Sequence, residues 1–423
     1  MIYLPRIVDD ELSRLVADLP AVAVDGPKAV GKSATGARLA ATVIDLDLDD
    51  ELELTRSNPA RIQNLPAPVL VDEWQLFPQI WDKVRRWVDA GAGPGSFILT
   101  GSATPSEKPM HSGAGRIVRV RMRPMSLAER GVAQPSVSLA DLLTGSIREV
   151  GGESNLTLED YAEEIVSSGF PAIRQAPTRS RADVLNGYLS NIVEREFPEA
   201  GYLVRKPIAL RNWLRAYAAA TSSMTSYSSI LDAATGGESD KPSQLTTVAY
   251  RETLERIWLL DELPAWTSNN PLTALARAPK HHLADPALAA RMLGVNASSL
   301  LNYPNPDRPA RPRQGTLFGA LFESLATLCV RVYASASHAE VSYLRTTRGT
   351  HEVDLIVQRE DGRILPIEVK LASTVDGKDV EHLLWLKKSL GDEVLDTVVI
   401  TTGKGAYRRP DGVAVVPLGL LGA

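Results

Sequence analysis

Short apolar runs alternate with amphipathic segments along the first third of the chain. AVAV at 21–24, APVLVDEWQ at 67–75 and SFILTGS at 96–102 each contain a run with the length of a buried strand. Between them, apolar residues recur at helical spacing, most regularly in 80–88. Strands that alternate with helices predict a parallel sheet with helices on both faces, so we predict an α/β fold.

The rest of the chain has two further patterns. From about 156 to 300 the apolar residues keep a helical period, and three predicted helices precede a strand-like segment, an order typical of a winged helix. YPNPDRPARPRQ has the Pro-rich composition of a linker, and the residues after it again mix strands and helices. These changes divide the chain into units at 1–130 and 131–302, a linker at 303–314 and a unit at 315–423.

Composition narrows the class of protein. The 423 residues are enough for about two to four domains. A net charge of −5 gives no overall attraction to nucleic acid, so any such binding must come from local patches. The single cysteine, Cys329, excludes an internal disulfide, and no apolar run approaches the ~18 residues that cross a membrane. We therefore expect a cytoplasmic protein without a membrane partner.

A complete G-x-x-x-x-G-K-S motif follows the first predicted strand and opens a helix. Its eight residues are Gly26, Pro27, Lys28, Ala29, Val30, Gly31, Lys32 and Ser33. In such a loop, backbone N–H groups surround the phosphates of ATP, the lysine reaches the β- and γ-phosphates, and the hydroxyl ligates Mg²⁺. The motif predicts an ATP site centred on Lys32 and Ser33; the alternative is a Gly-rich turn with a surface lysine.

Two carboxylates end the run VLVDE. Asp72 can hold Mg²⁺ through water, and Glu73 can polarise the water that attacks the γ-phosphate. In the alternative interpretation both are helix N-terminal acids that the helix dipole favours. LTGSA places Thr100 and Ser102 at another strand end, where a hydroxyl can sense the γ-phosphate. Together with the loop, these residues predict an ATPase that uses Mg²⁺.

Local basic patches are the candidates for contact with DNA. In RIVRVRMRP, alternation places Arg119, Arg121 and Arg123 on one face of a strand. The linker adds three more arginines, Arg308, Arg311 and Arg313. If the middle unit is a winged helix, its recognition helix lies in PSQLTTVAYRETLERIW and is capped by Ser243. A winged helix that docks protein is the alternative.

Near the C-terminus, the strand-like runs VDLIV and ILPIEVK flank a short loop at 360–362. A three-residue loop that ends in a left-handed glycine would pair Arg359 with Arg363. A two-residue turn would shift the register by one residue and turn alternate side chains to the other face. The side chains that share a face therefore depend on this loop.

In the three-residue register, Asp354 lies opposite Glu368. Glu352 lies opposite Lys370, and all four side chains share one face. Two carboxylates that hold Mg²⁺ and a lysine that stabilises transition-state charge suit phosphodiester hydrolysis, so Asp354, Glu368 and Lys370 are candidate catalytic residues. Asp354 and Glu368 would be the metal ligands, and Glu323 on the preceding helix could add a carboxylate. The alternative is a solvated face with Glu and Lys paired across strands.

The order of these motifs resembles a widespread group of prokaryotic AAA-type ATPases with a C-terminal domain of long-unknown function. The matching stretches are GPKAVGKS, VIDLD, VLVDEWQ, ILTGSA, GAGRIVRVRMRPMSLAE, NGYLSNIVERE, PKHHLADPALAARMLG, GTLFGALFE and HEVDLIV…LPIEVK. D…E-x-K is the signature of the restriction-endonuclease-like fold, which the family's C-terminal domain resembles. The resemblance implies that Arg116 completes ATP hydrolysis across a subunit interface of a homo-oligomer; the alternative is a surface arginine that starts the basic strand. It also implies that His281 and His282 lie on a surface strand.

The sequence therefore predicts a P-loop ATPase that is coupled to a nuclease-like domain and acts on DNA with Mg²⁺. The competing hypothesis is an ATP-dependent switch or assembly protein whose nuclease-like domain is inert and binds DNA or protein partners. Alanine at Asp354 separates the two, because only a nuclease would lose cleavage.

Overall fold

The structure, a computed structural model, describes six segments of the chain. They are 3–102, 113–235, 242–267, 277–301, 314–346 and 349–423. The expected linker at 303–314, with its three arginines, lies outside these segments except for its last residue. The unit boundaries drawn from the sequence stay predictions.

A five-stranded sheet forms the N-terminal unit, in the order β2-β3-β4-β1-β5. Its strands are β1 (Ala21–Asp25), β2 (Thr42–Asp45), β3 (Val69–Asp72), β4 (Phe97–Gly101) and β5 (Val118–Arg121). Its helices are α1 (Val8–Asp18), α2 (Lys32–Ala37), α3 (Asp49–Ser57), α4 (Gln79–Asp89) and α5 (Leu127–Arg130). Every strand pair is parallel, so the predicted parallel α/β sheet is confirmed.

The sheet is buried on both faces, as its continuous apolar strands predict. Val22 of β1 belongs to the same buried cluster as Leu12 of α1, on one face. Ala23 belongs to the cluster of Ile80 in α4, on the other face. Because β1, β3 and β4 are parallel neighbours, their carboxyl ends meet at one edge, where ligands bind in folds of this kind.

Helices predominate in the middle of the chain. After β6 (Val137–Ser138), the helices are α6 (Leu139–Leu142), α7 (Leu158–Val166), α8 (Pro171–Gln175), α9 (Thr178–Asn191), α10 (Phe197–Glu199), α11 (Pro207–Ala219), α12 (Tyr227–Thr235), α13 (Gln244–Arg256), α14 (Pro286–Met292) and α15 (Ala297–Leu301). A π-helical turn, Ile192–Glu196, continues α9. Ser243 caps α13 as predicted, since its hydroxyl accepts the Thr246 N–H at 3.1 Å.

Two isolated antiparallel pairings follow α13. Leu260 pairs with Leu283, and Leu263 pairs with Lys280. The winged-helix interpretation of α11 to α13 and these pairings stays a prediction.

A six-stranded mixed sheet forms the C-terminal unit, in the order β11-β12-β10-β9-β8-β7. Its elements are α16 (Gln314–Ala336), β7 (Glu340–Arg345), β8 (Glu352–Gln358), β9 (Ile364–Val369), α17 (Glu381–Leu390), β10 (Val398–Thr401), β11 (Tyr407–Arg408) and β12 (Ala414–Pro417). A final strand, β13 (Leu421–Gly422), pairs with β6 near the N-terminal unit. Parallel and antiparallel strands together with helices complete the predicted α/β architecture.

Helix α16 ties the C-terminal unit to the N-terminal one. Its Cys329 thiol accepts the Leu127 N–H at 3.4 Å, and its Tyr333 hydroxyl accepts the Ala128 N–H at 3.3 Å. Contrary to the expectation that no apolar segment is long enough, over Leu317–Ala336 it is the one described helix with the length and hydropathy to cross a membrane, and 78% of that window is buried inside the protein. Within the fold it is a core helix.

Buried charges join the three units at Asp261. Arg121, Arg123 and Arg331 approach its carboxylate at 3.1, 2.7 and 2.7 Å. Burial opposes the charge, but the three guanidinium groups outweigh it and hold the pKa of Asp261 far below its usual range. Arg121 and Arg123 were expected on a basic outer face open to phosphates. That expectation is wrong, because a buried carboxylate pairs with both.

Candidate functional site

The loop between β1 and α2 has a backbone shape suited to phosphate. Ala29 and Gly31 have positive φ values of 66° and 108°. A Cβ at Gly26 would collide with the Met122 carbonyl, so this position requires glycine. Successive turns of this kind direct backbone N–H groups into a concave anion site.

Lys32 begins α2 and turns back into the loop. Its Nζ donates to the carbonyls of Gly26 and Pro27, both at 2.9 Å. The residue is only 4% exposed, and burial lowers its pKa to about 8 although Glu73 and Asp72 oppose the shift. The ammonium is therefore held among neutral carbonyls, where an anion would stabilise its charge.

Ser33 and Asp72 meet at the carboxyl end of β3. The Ser33 hydroxyl donates to Asp72 Oδ1 at 2.9 Å, and the Thr100 hydroxyl donates to the same oxygen. The parallel pairing of β3 with β4 places Asp72 beside Thr100. Hydroxyl and carboxylate oxygens are the ligands that Mg²⁺ prefers, so this donor set fits the predicted metal position.

Glu73 is held by two neighbours. Its backbone has φ 52°, which is rare for a residue other than glycine and is typical of functional positions. Its Oε2 accepts hydrogen bonds from the Ser102 hydroxyl at 3.1 Å and from the Gln75 amide. The amide also donates to Ser102 at 3.2 Å. Gln75 was not among the predicted site residues. Its position two residues after Glu73 was the only feature of the sequence that could have indicated this contact.

A cavity of about 300 Å³ lies in front of the loop. Lys32, Ser33 and Glu73 line one side of it. Arg6 from the N-terminal segment and Pro171 from α8 also line it. The cavity thus brings three predicted residues of the ATP site to one surface.

The middle unit also contacts the loop from outside the cavity. Lys28 Nζ lies 3.8 Å from Glu196 and 3.9 Å from Glu199, and the Tyr188 hydroxyl donates to the Lys28 carbonyl at 3.3 Å. Burial raises the pKa of Glu196. The Lys28 side chain therefore faces the middle unit, and its predicted contribution to nucleotide binding is limited to the backbone.

Two arginines that were predicted to contact phosphates form ion pairs with carboxylates instead. Arg116 forms an ion pair with Asp89 at 2.8 Å, its side chain is 49% exposed, and it does not line the cavity. Arg119 pairs with Asp25, the last residue of β1, at 2.5 Å. Within one chain Arg116 is not part of the ATP site, so its role in hydrolysis would require a second subunit and stays a prediction.

Strands β8 and β9 form the predicted hairpin in the predicted register. The Arg359 N–H donates to the Arg363 carbonyl at 3.0 Å, and Gly362 closes the loop with φ 86°. The ladder continues to the pairing of Leu355 with Ile367 and ends there. The three-residue loop is confirmed.

The D…E-x-K residues converge just beyond the end of this ladder. Asp354 Oδ2 accepts the Val369 N–H at 3.0 Å, and Lys370 Nζ donates to Glu368 Oε2 at 3.2 Å. Burial, and then the neighbouring Asp354, raise the pKa of Glu368 well above its usual value. The Asp354 carboxylate beside it thus favours the neutral form of Glu368.

Glu352 departs from the prediction. It was expected opposite Lys370, but the β8–β9 ladder ends at Leu355, so that pairing does not form. Its carboxylate instead lies 3.3 Å from Lys280 Nζ and 3.8 Å from Arg345.

Lys280, which sequence reasoning missed, lies at the centre of these carboxylates. Its Nζ is 3.0 Å from Glu323, 3.0 Å from Asp354 and 3.3 Å from Glu352. Burial opposes its charge, but the three carboxylates outweigh burial and raise its pKa. Glu323 reaches the cluster from α16 as predicted, where burial and Asp354 raise its pKa to about 8.

The Lys280 ammonium pairs with carboxylate oxygens that a divalent cation at Asp354 would otherwise use. No group of three or more His, Cys, Asp or Glu side chains within the described segments has a metal-binding arrangement. A divalent cation beside a buried ammonium would meet strong repulsion in this low-dielectric surrounding. Asp354 and Glu368, the predicted Mg²⁺ ligands, are thus brought together at a cluster in which Lys280 already supplies positive charge to Asp354, and their role as metal ligands stays a prediction.

The two histidines beside Lys280 are buried. His281 is 0% and His282 2% exposed, so the expected surface strand is wrong. His281 Nε2 lies 2.7 Å from the Thr225 carbonyl, and His282 Nδ1 lies 3.3 Å from the Ser324 hydroxyl. Burial lowers the pKa of His282 to about 3. The available sequence signal was that Lys280, His281 and His282 stand together within the otherwise apolar stretch APKHHLADPALAA, which indicates burial.

Three domain families match consecutive parts of the chain. Residues 18–130 match a family described as AAA domain, 158–299 match a domain of unknown function (DUF8612), and 318–421 match another (DUF4143). The first match supports a P-loop ATPase family for the N-terminal unit. The descriptions of the other two name no activity.

Similar proteins extend through all three matched domains. Uncharacterized proteins of Mycobacterium bovis and Mycobacterium tuberculosis are each 25% identical over 419 residues, which is 96% of this chain and 82% of theirs. A solved structure described as the Walker-type ATPase PABY2304 of Pyrococcus abyssi is 16% identical, with a TM-score of 0.40, over 67% of this chain and 94% of its own.

Proposed function

We propose that the protein binds and hydrolyses ATP with Mg²⁺. The observation that carries the proposal is the meeting of the Lys32 ammonium, the Ser33–Asp72 pair and Glu73 at one cavity edge. Bound Mg²⁺ would neutralise phosphate charge, with Ser33 and Asp72 as the residues that hold it. The match of residues 18–130 to an AAA domain supports the same function.

The residues around the cavity have separate tasks in this proposal. Lys32 would transfer its hydrogen bonds from the loop carbonyls to phosphate oxygens, where its charge gains an anionic partner. Glu73, oriented by Ser102 and Gln75, would hold the attacking water and accept its proton. Neither task requires movement of the sheet, because both side chains already lie on the cavity surface.

Steady-state ATP hydrolysis by the full chain tests the proposal. Lys32→Ala and Glu73→Gln should each lower kcat by about 100- to 1000-fold, the usual effect of removing one transition-state contact. Arg86→Ala is the control, since Arg86 is an exposed residue of α4 and should leave the rate unchanged. Hydrolysis that survives both site substitutions would overturn the proposal.

We further propose that the nucleotide state acts on the middle unit, as in an ATP-dependent switch. The support is that Glu196, Glu199 and Tyr188 contact Lys28 in the phosphate loop itself. The same unit carries Lys280, which contacts the nuclease-like cluster, namely Glu323, Glu352, Asp354, Glu368 and Lys370, through its first three members. The middle unit thus contacts both the phosphate loop and the second site.

A second candidate function is Mg²⁺-dependent cleavage of DNA by the nuclease-like unit. The observation that favours it is the contact of Asp354 with Glu368 and of Glu368 with Lys370. The position of Lys280 favours instead a unit that is silent in this conformation. DNA and RNA cleavage with Mg²⁺ or Mn²⁺, with and without ATP, separates the two: a nuclease loses activity with Asp354→Ala, whereas a switch has none to lose.

The proposed setting is a homo-oligomer in the cytoplasm that contacts DNA. The support for assembly is that Arg116 is exposed and does not line the cavity of its own chain, so its side chain is available to an ATP site in another subunit. Analytical ultracentrifugation with and without ATP tests the assembly. A monomer in both conditions would remove Arg116 from the catalytic account.

A further inference from the structure

The Lys280 side chain is buried among the carboxylates of the nuclease-like cluster. Its side chain is 2% exposed, and its Nζ donates hydrogen bonds to Glu323 and Asp354, both at 3.0 Å. Glu352 adds an ion pair at 3.3 Å, so three carboxylates surround the ammonium. Glu368 Oε1, which is buried, is left without a hydrogen-bond donor from the described residues.

The backbone holds Lys280 in this place from two sides. Lys280 and Leu263 exchange both backbone hydrogen bonds, at 2.9 and 3.0 Å. The strand that carries Leu263 continues along the edge of the C-terminal sheet, where Tyr343 donates to Pro264 and accepts from Trp266. The lysine therefore belongs to the middle unit, while the carboxylates that it contacts belong to the C-terminal unit.

We infer that the Lys280 ammonium is the resident cation of this cluster, and that a divalent metal ion binds these carboxylates only when Lys280 is removed. The cluster has the carboxylates of a metal site, but the middle unit supplies their positive charge. Entry of a metal ion would require the Lys280 ammonium to leave these carboxylates. The inference concerns cation binding alone and is independent of both ATP hydrolysis and DNA cleavage.

Mn²⁺ binding to the full chain tests the inference, with free Mn²⁺ measured by electron paramagnetic resonance. Lys280→Met keeps the length of the side chain and removes its charge. It should create a Mn²⁺ site that binds at least about tenfold more tightly than any cluster site in the wild type. The double variant Lys280→Met/Asp354→Asn should lose that site. Lys388→Met, which removes an exposed lysine of α17, is the matched control and should bind as the wild type does.

A comparison of Mn²⁺ binding between wild type and Asp354→Asn tests the inference even if Lys280→Met does not fold. Asp354→Asn keeps an oxygen for the Val369 N–H and removes one ligand charge. Because the wild-type cluster should hold no Mn²⁺, wild type and Asp354→Asn should bind equal amounts. A wild-type site that Asp354→Asn abolishes would overturn the inference, as would equal Mn²⁺ affinity in wild type and Lys280→Met.

Discussion

The ATP site and the nuclease-like cluster each combine one buried lysine with carboxylates, yet the two arrangements are opposite. Lys32 donates to neutral carbonyls, and the carboxylates nearby bond with hydroxyl groups. Lys280 instead contacts three carboxylates directly. The first lysine therefore has a lowered pKa and is available to an anion, whereas the second has a raised pKa and is already paired. Motif residues alone do not determine whether a site is open to its cofactor.

The largest expected effect comes from removing the paired lysine. Lys280→Met leaves three carboxylates, two of them mostly buried, without their cation, which should lower the free energy of unfolding by ~3–5 kcal/mol. Lys32→Met removes an ammonium without an opposite charge in direct contact, so its effect should be clearly smaller. Thermal unfolding followed by circular dichroism measures both. Equal midpoints for the two variants would show that the lysines are not in opposite states.

The lowered pKa of Lys32 predicts a pH dependence of nucleotide binding. In the free protein Lys32 loses its proton near pH 8, whereas a bound phosphate would favour the charged form and raise the pKa. Above pH 8, ATP binding should therefore take up as much as about one proton, and affinity should fall as pH rises. Titration calorimetry at pH 9 in buffers of different ionisation enthalpy measures the uptake.

Lys28→Met is the control for that experiment. Lys28 belongs to the same loop, but its side chain is half exposed and faces Glu196 and Glu199. Its removal should leave the proton uptake at pH 9 intact. Absence of uptake in the wild type would mean that Lys32 stays charged in the free protein.

A smaller effect on stability is expected at Arg116. Its ion pair with Asp89 is exposed on both sides, so Arg116→Ala should change the free energy of unfolding by at most ~1 kcal/mol. If Arg116 acts across subunits, the same variant should lose ATP hydrolysis under conditions in which the protein is assembled. Asp89→Ala breaks the same ion pair but keeps the arginine. Equal loss of hydrolysis in both variants would indicate a structural ion pair rather than a catalytic arginine.

Much of each site could be predicted from short-range sequence patterns. The glycine spacing of the loop, and Asp72 and Glu73 at a strand end, required only local chemistry. The hairpin register followed from a three-residue loop closed by Gly362. In each case the decisive residues lie within a few positions of one another, where turn geometry and strand alternation constrain the side chains.

The misses share a physical cause, which is contact between residues distant in the chain. Lys280 reaches Asp354 across 74 positions, and no periodicity links a middle strand to a C-terminal hairpin. Asp261 likewise pairs with Arg121 and Arg123, and 138 positions separate it from Arg123. Alternation along one strand predicted which side of it the arginines occupy, but not what covers that side.

One measurement tests most directly the central claim that the ATP site is open and the cluster is closed. The quantity is Mn²⁺ bound per chain in the presence of saturating ADP, compared among wild type, Lys32→Ala and Asp354→Asn. The account predicts one nucleotide-dependent Mn²⁺ per chain, which Lys32→Ala loses and Asp354→Asn keeps. A second bound Mn²⁺ in the wild type that disappears with Asp354→Asn would contradict the account, because the cluster would then hold metal despite Lys280.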